Sequence, residues 1–206
     1  MEKVLTISKD YLLVPVKKEA EKRLLTFWCG TEKIYEFEIS CLDTEETYPE
    51  DFCAVLPVKK WKGHKIRIEG DVCESLLSAV REKESAVREN SGYIHFVPET
   101  GWINDPNGLI YSEGKYHLYF QHNPVDVNWG NMSWGHAEST DLLHWVQKED
   151  VLFPDENGTM FSGCAILNER GLLGLPKDTP VFFYTVAGSA SEWSKGKKFV
   201  QRIAYS

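Results

Sequence analysis

Apolar and polar residues alternate in Ile34-Tyr35-Glu36-Phe37-Glu38-Ile39, which puts Tyr35, Phe37 and Ile39 on one face and Glu36 and Glu38 on the other. A period of two is that of a half-buried strand, whose side chains point alternately to its two faces. Comparable short runs recur over residues 3–7, 11–16, 23–29, 52–58 and 65–69. They are separated by charged breaks or by turns at Gly30-Thr31-Glu32 and Trp61-Lys62-Gly63-His64. Short strands at this spacing predict a small antiparallel sandwich. From Glu74 to about Asn90 the pattern changes. Leu76, Leu77, Val80 and Val87 stand near helical spacing among charges, which predicts a helix or helical linker closing the first domain. Asn90-Ser91-Gly92 interrupts that run, so the expected domains are residues 1–90 and 91–206.

Beyond that break the period of two returns. Leu109-Ile110-Tyr111 leads through Ser112-Glu113-Gly114 into Lys115 to Gln121, a hairpin whose second strand places His117, Tyr119 and Gln121 on one face. Further strands are expected at 132–138 and, after the Ser139 to Leu143 turn, at 144–148. Four antiparallel strands of this length make one propeller blade. The pattern then restarts at 160–167, 180–187 and 198–206, so a second blade begins and is incomplete. Just ahead of the first hairpin, Asp105-Pro106-Asn107-Gly108 predicts a type I turn. Pro106 is preset for its second position and Gly108 is free to take a positive φ, so the turn would hold Asp105 at a strand end. The fold class expected is all-β.

The net charge of −8 argues against nucleic acid or an anionic membrane surface as partner and suits a neutral one. No run of about eighteen apolar residues occurs, as a membrane-spanning helix would need. The N-terminus lacks the apolar run and cleavage site of a secretory signal. A cytoplasmic location is the default, with secretion open if a signal has been removed. The five cysteines include no Cys-x-x-Cys pair, and no histidine stands at metal-ligand spacing, so neither a zinc site nor a complete disulfide framework is indicated. Buried free thiols are expected, two disulfides among the first four cysteines remaining open for an exported protein. Cys164 is expected to be an unpaired thiol entering a blade core. Trp28, Tyr48 and Trp61 are read as core packing ahead of sugar stacking.

The stretch Trp102-Ile103-Asn104-Asp105-Pro106-Asn107-Gly108 is followed in order by Phe120-Gln121-His122-Asn123-Pro124, Trp129-Gly130, Trp134-Gly135-His136-Ala137 and Phe161-Ser162-Gly163. This series resembles glycoside hydrolase family 32, the invertases, inulinases, levanases and sucrose-6-phosphate hydrolases, over about residues 93–206. The resemblance implies a five-bladed propeller followed by a C-terminal sandwich, of which this chain holds sequence for slightly less than two blades. Some family members carry an extra sandwich-like domain ahead of the catalytic one, similar in size to residues 1–90. The resemblance also implies that Asp105 is the nucleophile of a retaining reaction, and that Asn104, Gln121, Trp129, Phe161 and Ser162 line a fructose pocket. It implies a neutral fructosyl saccharide such as sucrose, levan or inulin as substrate, with no cofactor and no metal. Those residue types suit a neutral sugar, which is oriented by several hydrogen bonds and by stacking. Trp134 is read as a packing residue, His136 as a structural histidine, and Asp141 and Asp155 as turn residues.

Two family motifs are absent. The stabilising Asp lies in an Arg-Asp-Pro motif and the acid/base Glu in a Glu-Cys motif, and neither occurs in these residues. Retention needs two carboxyl groups about 5 to 5.5 Å apart, so the chain is expected to be inactive alone and to self-associate through an incomplete propeller. Two alternatives stand beside this reading. One is a carbohydrate-binding or structural fragment, and the other a related five-bladed hydrolase releasing arabinose or xylose.

Overall fold

The computed structural model describes residues 1–42, 48–85, 88–89 and 95–206, with the backbone only at 88–89. The expected break at Asn90-Ser91-Gly92 lies outside the described residues. The chain divides into two compact units, Met1–Ala86 with Thr100–Trp102 and Asn123–Asn131, and Val87–Glu99 with Ile103–His122 and Met132–Ser206. Among the described residues no helix is long and apolar enough to cross a membrane.

The first unit holds β1 (Glu2–Thr6), β2 (Tyr11–Val16), β3 (Lys22–Cys29), β4 (Glu32–Ser40), β5 (Phe52–Pro57), β6 (Lys65–Gly70), helix α1 (Glu74–Ala79) and β7 (Arg81–Lys83). They form a four-stranded sheet in the order β1-β6-β3-β4 and a three-stranded sheet in the order β5-β2-β7. Leu25, Phe27, Phe37, Ile39, Ile66 and Ile68 of the first sheet are buried, as are Leu12, Val14, Val16 and Leu56 of the second. The Tyr35 hydroxyl donates to Pro57 O at 2.7 Å and ties the two sheets together. Gly30, at φ +60°, occupies the first central position of the two-residue β3–β4 turn, where a type II′ hairpin needs glycine. Trp61 and Tyr48 are buried, as expected of core aromatics. Glu36 departs from the simple alternation. It is buried, and its Oε2 accepts from Lys33 Nζ at 2.7 Å.

The expected helix from 74 to 90 is confined to Glu74–Ala79. Val80 turns extended, and Lys3 Nζ collects the last carbonyls, donating to Leu77 O (2.7 Å), Ser78 O (3.2 Å) and Val80 O (2.8 Å). The next residues become β7, which pairs with β2 from Leu13↔Arg81 to Tyr11↔Lys83. Glu82 fixes this exchange by accepting from Ser8 N at 2.6 Å and Lys9 N at 2.9 Å. Tertiary pairing here outweighs helix propensity, which is weak over so short a segment. The 123–131 segment is bound to β4 through Asn131, which donates to Glu38 O and accepts from Glu38 N, both at 2.9 Å, much as a paired strand would. The fully buried Asp126 accepts from Ser40 Oγ at 2.5 Å.

The second unit contains β8 (Arg88–Glu89), β9 (Trp102–Ser112, its first residue counted with the first unit), β10 (Lys115–Asn123, its last residue likewise), β11 (Ser133–Ser139), β12 (Val146–Gln147), β13 (Thr159–Leu167), β14 (Pro180–Ala187) and β15 (Val200–Tyr205). The first five form one sheet in the order β8-β12-β11-β10-β9, the last three another in the order β13-β14-β15. These are the two blades expected, the second with three strands. The β9–β10 turn has Glu113 at φ +51° and Gly114 at +79°, the left-handed pair of a type I′ hairpin. Asp141 is a turn residue as expected, accepting from Leu143 N at 2.9 Å and His144 N at 2.8 Å. The core of this unit is Tyr119, Trp134, Met160, Phe182, Tyr184 and Val186. Trp134 is fully buried, as its packing role requires.

Two expectations fail in this unit. Asp105 to Gly108 do not form a turn before a strand; they lie within β9, which runs unbroken from Trp102 to Ser112. Gly108 does take the positive φ anticipated, +48°, but it bends the strand without reversing it. Cys164 is a free thiol yet exposed, because the alternation of β13 turns it outward with Ile166.

Candidate active site

β9 and β13 are edge strands of their sheets, and the candidate residues sit where they face each other. Ser162 Oγ donates to Asp105 Oδ2 at 2.5 Å, and two residues along, Gly163 N donates to Asn107 Oδ1 at 3.3 Å. Asp105 and Asn107 can both meet β13 because residues i and i+2 share a face of a strand. Ser162 reaches Asp105 through a bulge. The β13–β14 register runs Met160↔Val186 and then Gly163↔Tyr184, so Phe161 and Ser162 together oppose the single residue Thr185. The extra residue bends the strand and re-aims the side chains on it. Gly163 allows this, since a Cβ there would lie 2.1 Å from Phe183 O.

The Asp105 carboxylate is exposed, and its pKa is held below the usual carboxylate range. The Ser162 hydroxyl is the main cause and the Asn104 side chain the next, both by hydrogen bonding to the charged form. Asp105 is therefore ionised and accessible at neutral pH. Gln121 is buried, its Nε2 donating to Met160 O at 2.9 Å, so one end of this amide anchors the residue that opens the bulge. The Phe161 carbonyl accepts from Trp134 Nε1 at 3.1 Å, and its ring meets Phe199 edge-on at 5.8 Å. The second unit thus brings together Asn104, Asp105, Gln121, Phe161 and Ser162. Trp129 belongs to the first unit and is 54% exposed.

Asn107 was missed by sequence reasoning, which took it as a turn former. It is buried, joins β9 to the bulge through Oδ1, and keeps a buried Nδ2 with no partner among the described residues. A second grouping was also invisible to spacing. His117, His136 and Glu138 each offer a ligand atom within 4.8 Å of the others. His117 comes from β10 and the other two from β11, so only the β10–β11 register assembles all three.

The family model of the Glycosyl hydrolases family 32 N-terminal domain matches residues 95–206. The levanase of Bacillus subtilis (strain 168) is 44% identical over 115 residues, covering 54% of this chain and 16% of that protein. The extracellular exo-inulinase of Aspergillus awamori is 41% identical over 129 residues, covering 56% of this chain and 24% of that protein. The crystal structure of exo-inulinase from Aspergillus awamori aligns with 58% of this chain and 26% of its own, at 39% identity and a TM-score of 0.48. The chain therefore spans only 16% and 24% of the lengths of these two curated relatives.

Proposed function

Since the chain belongs to glycoside hydrolase family 32, whose N-terminal domain it matches over residues 95–206, we propose that it forms part of a retaining β-fructofuranosidase with Asp105 as nucleophile. The observation that carries this reading is the exposed Asp105 carboxylate, kept ionised by Ser162 and Asn104. Such a carboxylate attacks the anomeric carbon of a fructosyl unit. The bond to the leaving-group oxygen breaks as that oxygen takes a proton from an acid, and water then releases fructose from the covalent fructosyl-enzyme.

The substrate on this reading is a neutral fructosyl saccharide, in keeping with a levanase and an exo-inulinase among the relatives. Asn104, Gln121 and Ser162 offer hydrogen bonds to its hydroxyls, and Phe161 offers a ring to its apolar face. Trp129, exposed on the first unit, is a stacking candidate in its own right. The proton donor is not among these motifs, because neither Arg-Asp-Pro nor Glu-Cys occurs in the sequence. Loss of general acid catalysis alone costs about a hundredfold to ten-thousandfold. The 206-residue chain by itself is accordingly held to be inactive.

The test uses a chimera in which residues 95–206 replace the matching part of the Bacillus subtilis levanase. Fructose release from sucrose, inulin and levan is measured for the chain, the chimera and the chimera carrying Asp105→Asn. The chimera should hydrolyse a β-fructosidic bond, Asp105→Asn should lower turnover by roughly a thousandfold or more, and the first-formed fructose should retain its anomeric configuration. Equal turnover with and without Asp105→Asn would overturn the assignment of the nucleophile.

A further inference from the structure

We propose that His117, His136 and Glu138 form a binding site for a first-row transition-metal cation of the zinc and cobalt type, clamping β10 to β11. The register supplies the geometry. His117 lies opposite Glu138 and Tyr119 opposite His136, so the four side chains make a two-by-two array on one face of the hairpin pair. The two histidines stand on its diagonal, with His117 Nδ1 3.1 Å from His136 Nε2. A tetrahedral zinc with bonds of about 2.0 to 2.1 Å separates two imidazole nitrogens by roughly 3.3 Å, so the nitrogens, which now aim at one another across ring centroids 5.3 Å apart, admit the ion between them when each ring turns by roughly 35°. The Glu138 carboxylate is within the 4.8 Å that spans the three ligand atoms.

The surroundings favour imidazole as a ligand. Tyr119 stacks on His136 at 4.4 Å and 8°, which fixes the plane of the ring. Burial, with the neighbouring His117 adding to it, lowers the His136 pKa to about 4, so the ring is neutral at pH 7 and has a lone pair to give. Without metal the two rings share one proton along the 3.1 Å contact. On binding, the ring that carries this proton holds it on its other nitrogen instead, so that each ring presents a lone pair to the ion. Lys115 (2.8 Å) and Lys148 (3.3 Å) both contact Glu138 Oε2, which leaves Oε1 for the ion. Their positive charges oppose the cation. The ligand set of two imidazoles and one carboxylate leaves the fourth position to water.

The experiment adds Co²⁺ to the full chain, with its five cysteines alkylated beforehand so that thiolates do not compete. Visible absorption, isothermal titration and the histidine ring resonances are followed together. The expected result is one ion per chain, with the His117 and His136 ring signals broadened before those of His64, His95, His122 and His144. His117→Gln and His136→Gln should each weaken binding by at least about tenfold. Lys115→Gln should tighten it by about threefold, since it removes a like charge near the ion. A merely structural histidine pair would not give that last result. Broadening centred on other histidines, or affinity unchanged in both glutamine variants, would overturn the proposal. The native-chain spectrum decides the matter even if a variant fails to fold.

Discussion

Two long antiparallel ladders in this molecule each carry a bulge, and they use it differently. In the sandwich, the β3–β4 register passes from Phe27↔Tyr35 to Trp28↔Lys33, so Ile34 is the extra residue, and it is buried. Next to it, Trp28 lies under two cations, Lys33 at 5.6 Å and Arg67 at 5.4 Å from its ring. In the second unit, the β13–β14 bulge instead pushes Ser162 onto the carboxylate of Asp105 on a neighbouring sheet. The same backbone device fills a core in one place and holds an ionised group in the other. What separates them is the residue at the bulge and the partner it meets, because a bulge only redirects whatever side chain stands on it.

The comparison can be broken most sharply at Gly163. An alanine Cβ would sit 2.1 Å from a backbone oxygen of β14, so Gly163→Ala should destabilise the second unit by about 3 kcal/mol and release Ser162 from Asp105. Urea unfolding, with hydrogen exchange read separately in each sheet, measures the first effect. Titration of the Asp105 carboxyl by NMR measures the second, and an unmoved titration would show that the bulge does not aim Ser162. In the sandwich, Ile34→Ala should cost about 2 kcal/mol by opening a cavity, with the loss confined to β3 and β4 exchange. The Asp105 titration should not change.

The smallest effect belongs to Ser162→Ala. The hydroxyl hydrogen-bonds the charged form of Asp105 and depresses its pKa, so removing it raises that pKa. A depressed carboxylate contributes stability above its unfolded pKa and loses it as pH falls through the folded value. Ser162→Ala should therefore leave stability least changed at the lowest pH, and should move the acidic limb of any Asp105-dependent activity to higher pH. Comparison of the Asp105 titration curves in parent and variant checks the direction. A curve shifted downward would refute the hydrogen-bond account.

Strands were legible wherever one face is buried, since alternation reports burial directly. The readings of 11–16 and 180–187 match β2 and β14 to the residue, and that of 23–29 falls within one residue of β3. The misreadings have physical causes. Pro106 and Gly108 have turn propensities, yet β9 is an edge strand, where a proline costs little. The leucines after Glu74 have helical spacing, but β2 offered backbone partners to Arg81–Lys83. At the candidate site, Asp105 and Ser162 were nameable through the motifs, whereas their contact was not, because a bulge leaves no local period. Asn107 looked like a turn residue for the same reason. His117 and His136 were hidden by lying on separate strands.

Gly108 carries a consequence of its own. A Cβ at that position would come within 3.2 to 3.3 Å of Tyr119, Phe182 and Trp134, so the bend three residues beyond Asp105 rests on the aromatic core. The strand's curvature is thereby gauged against ring sizes deep in the unit. A slight misfit among those rings would be transmitted along the chain as an error in where the carboxylate points, and it would register as lost precision of aim before it registered as lost stability.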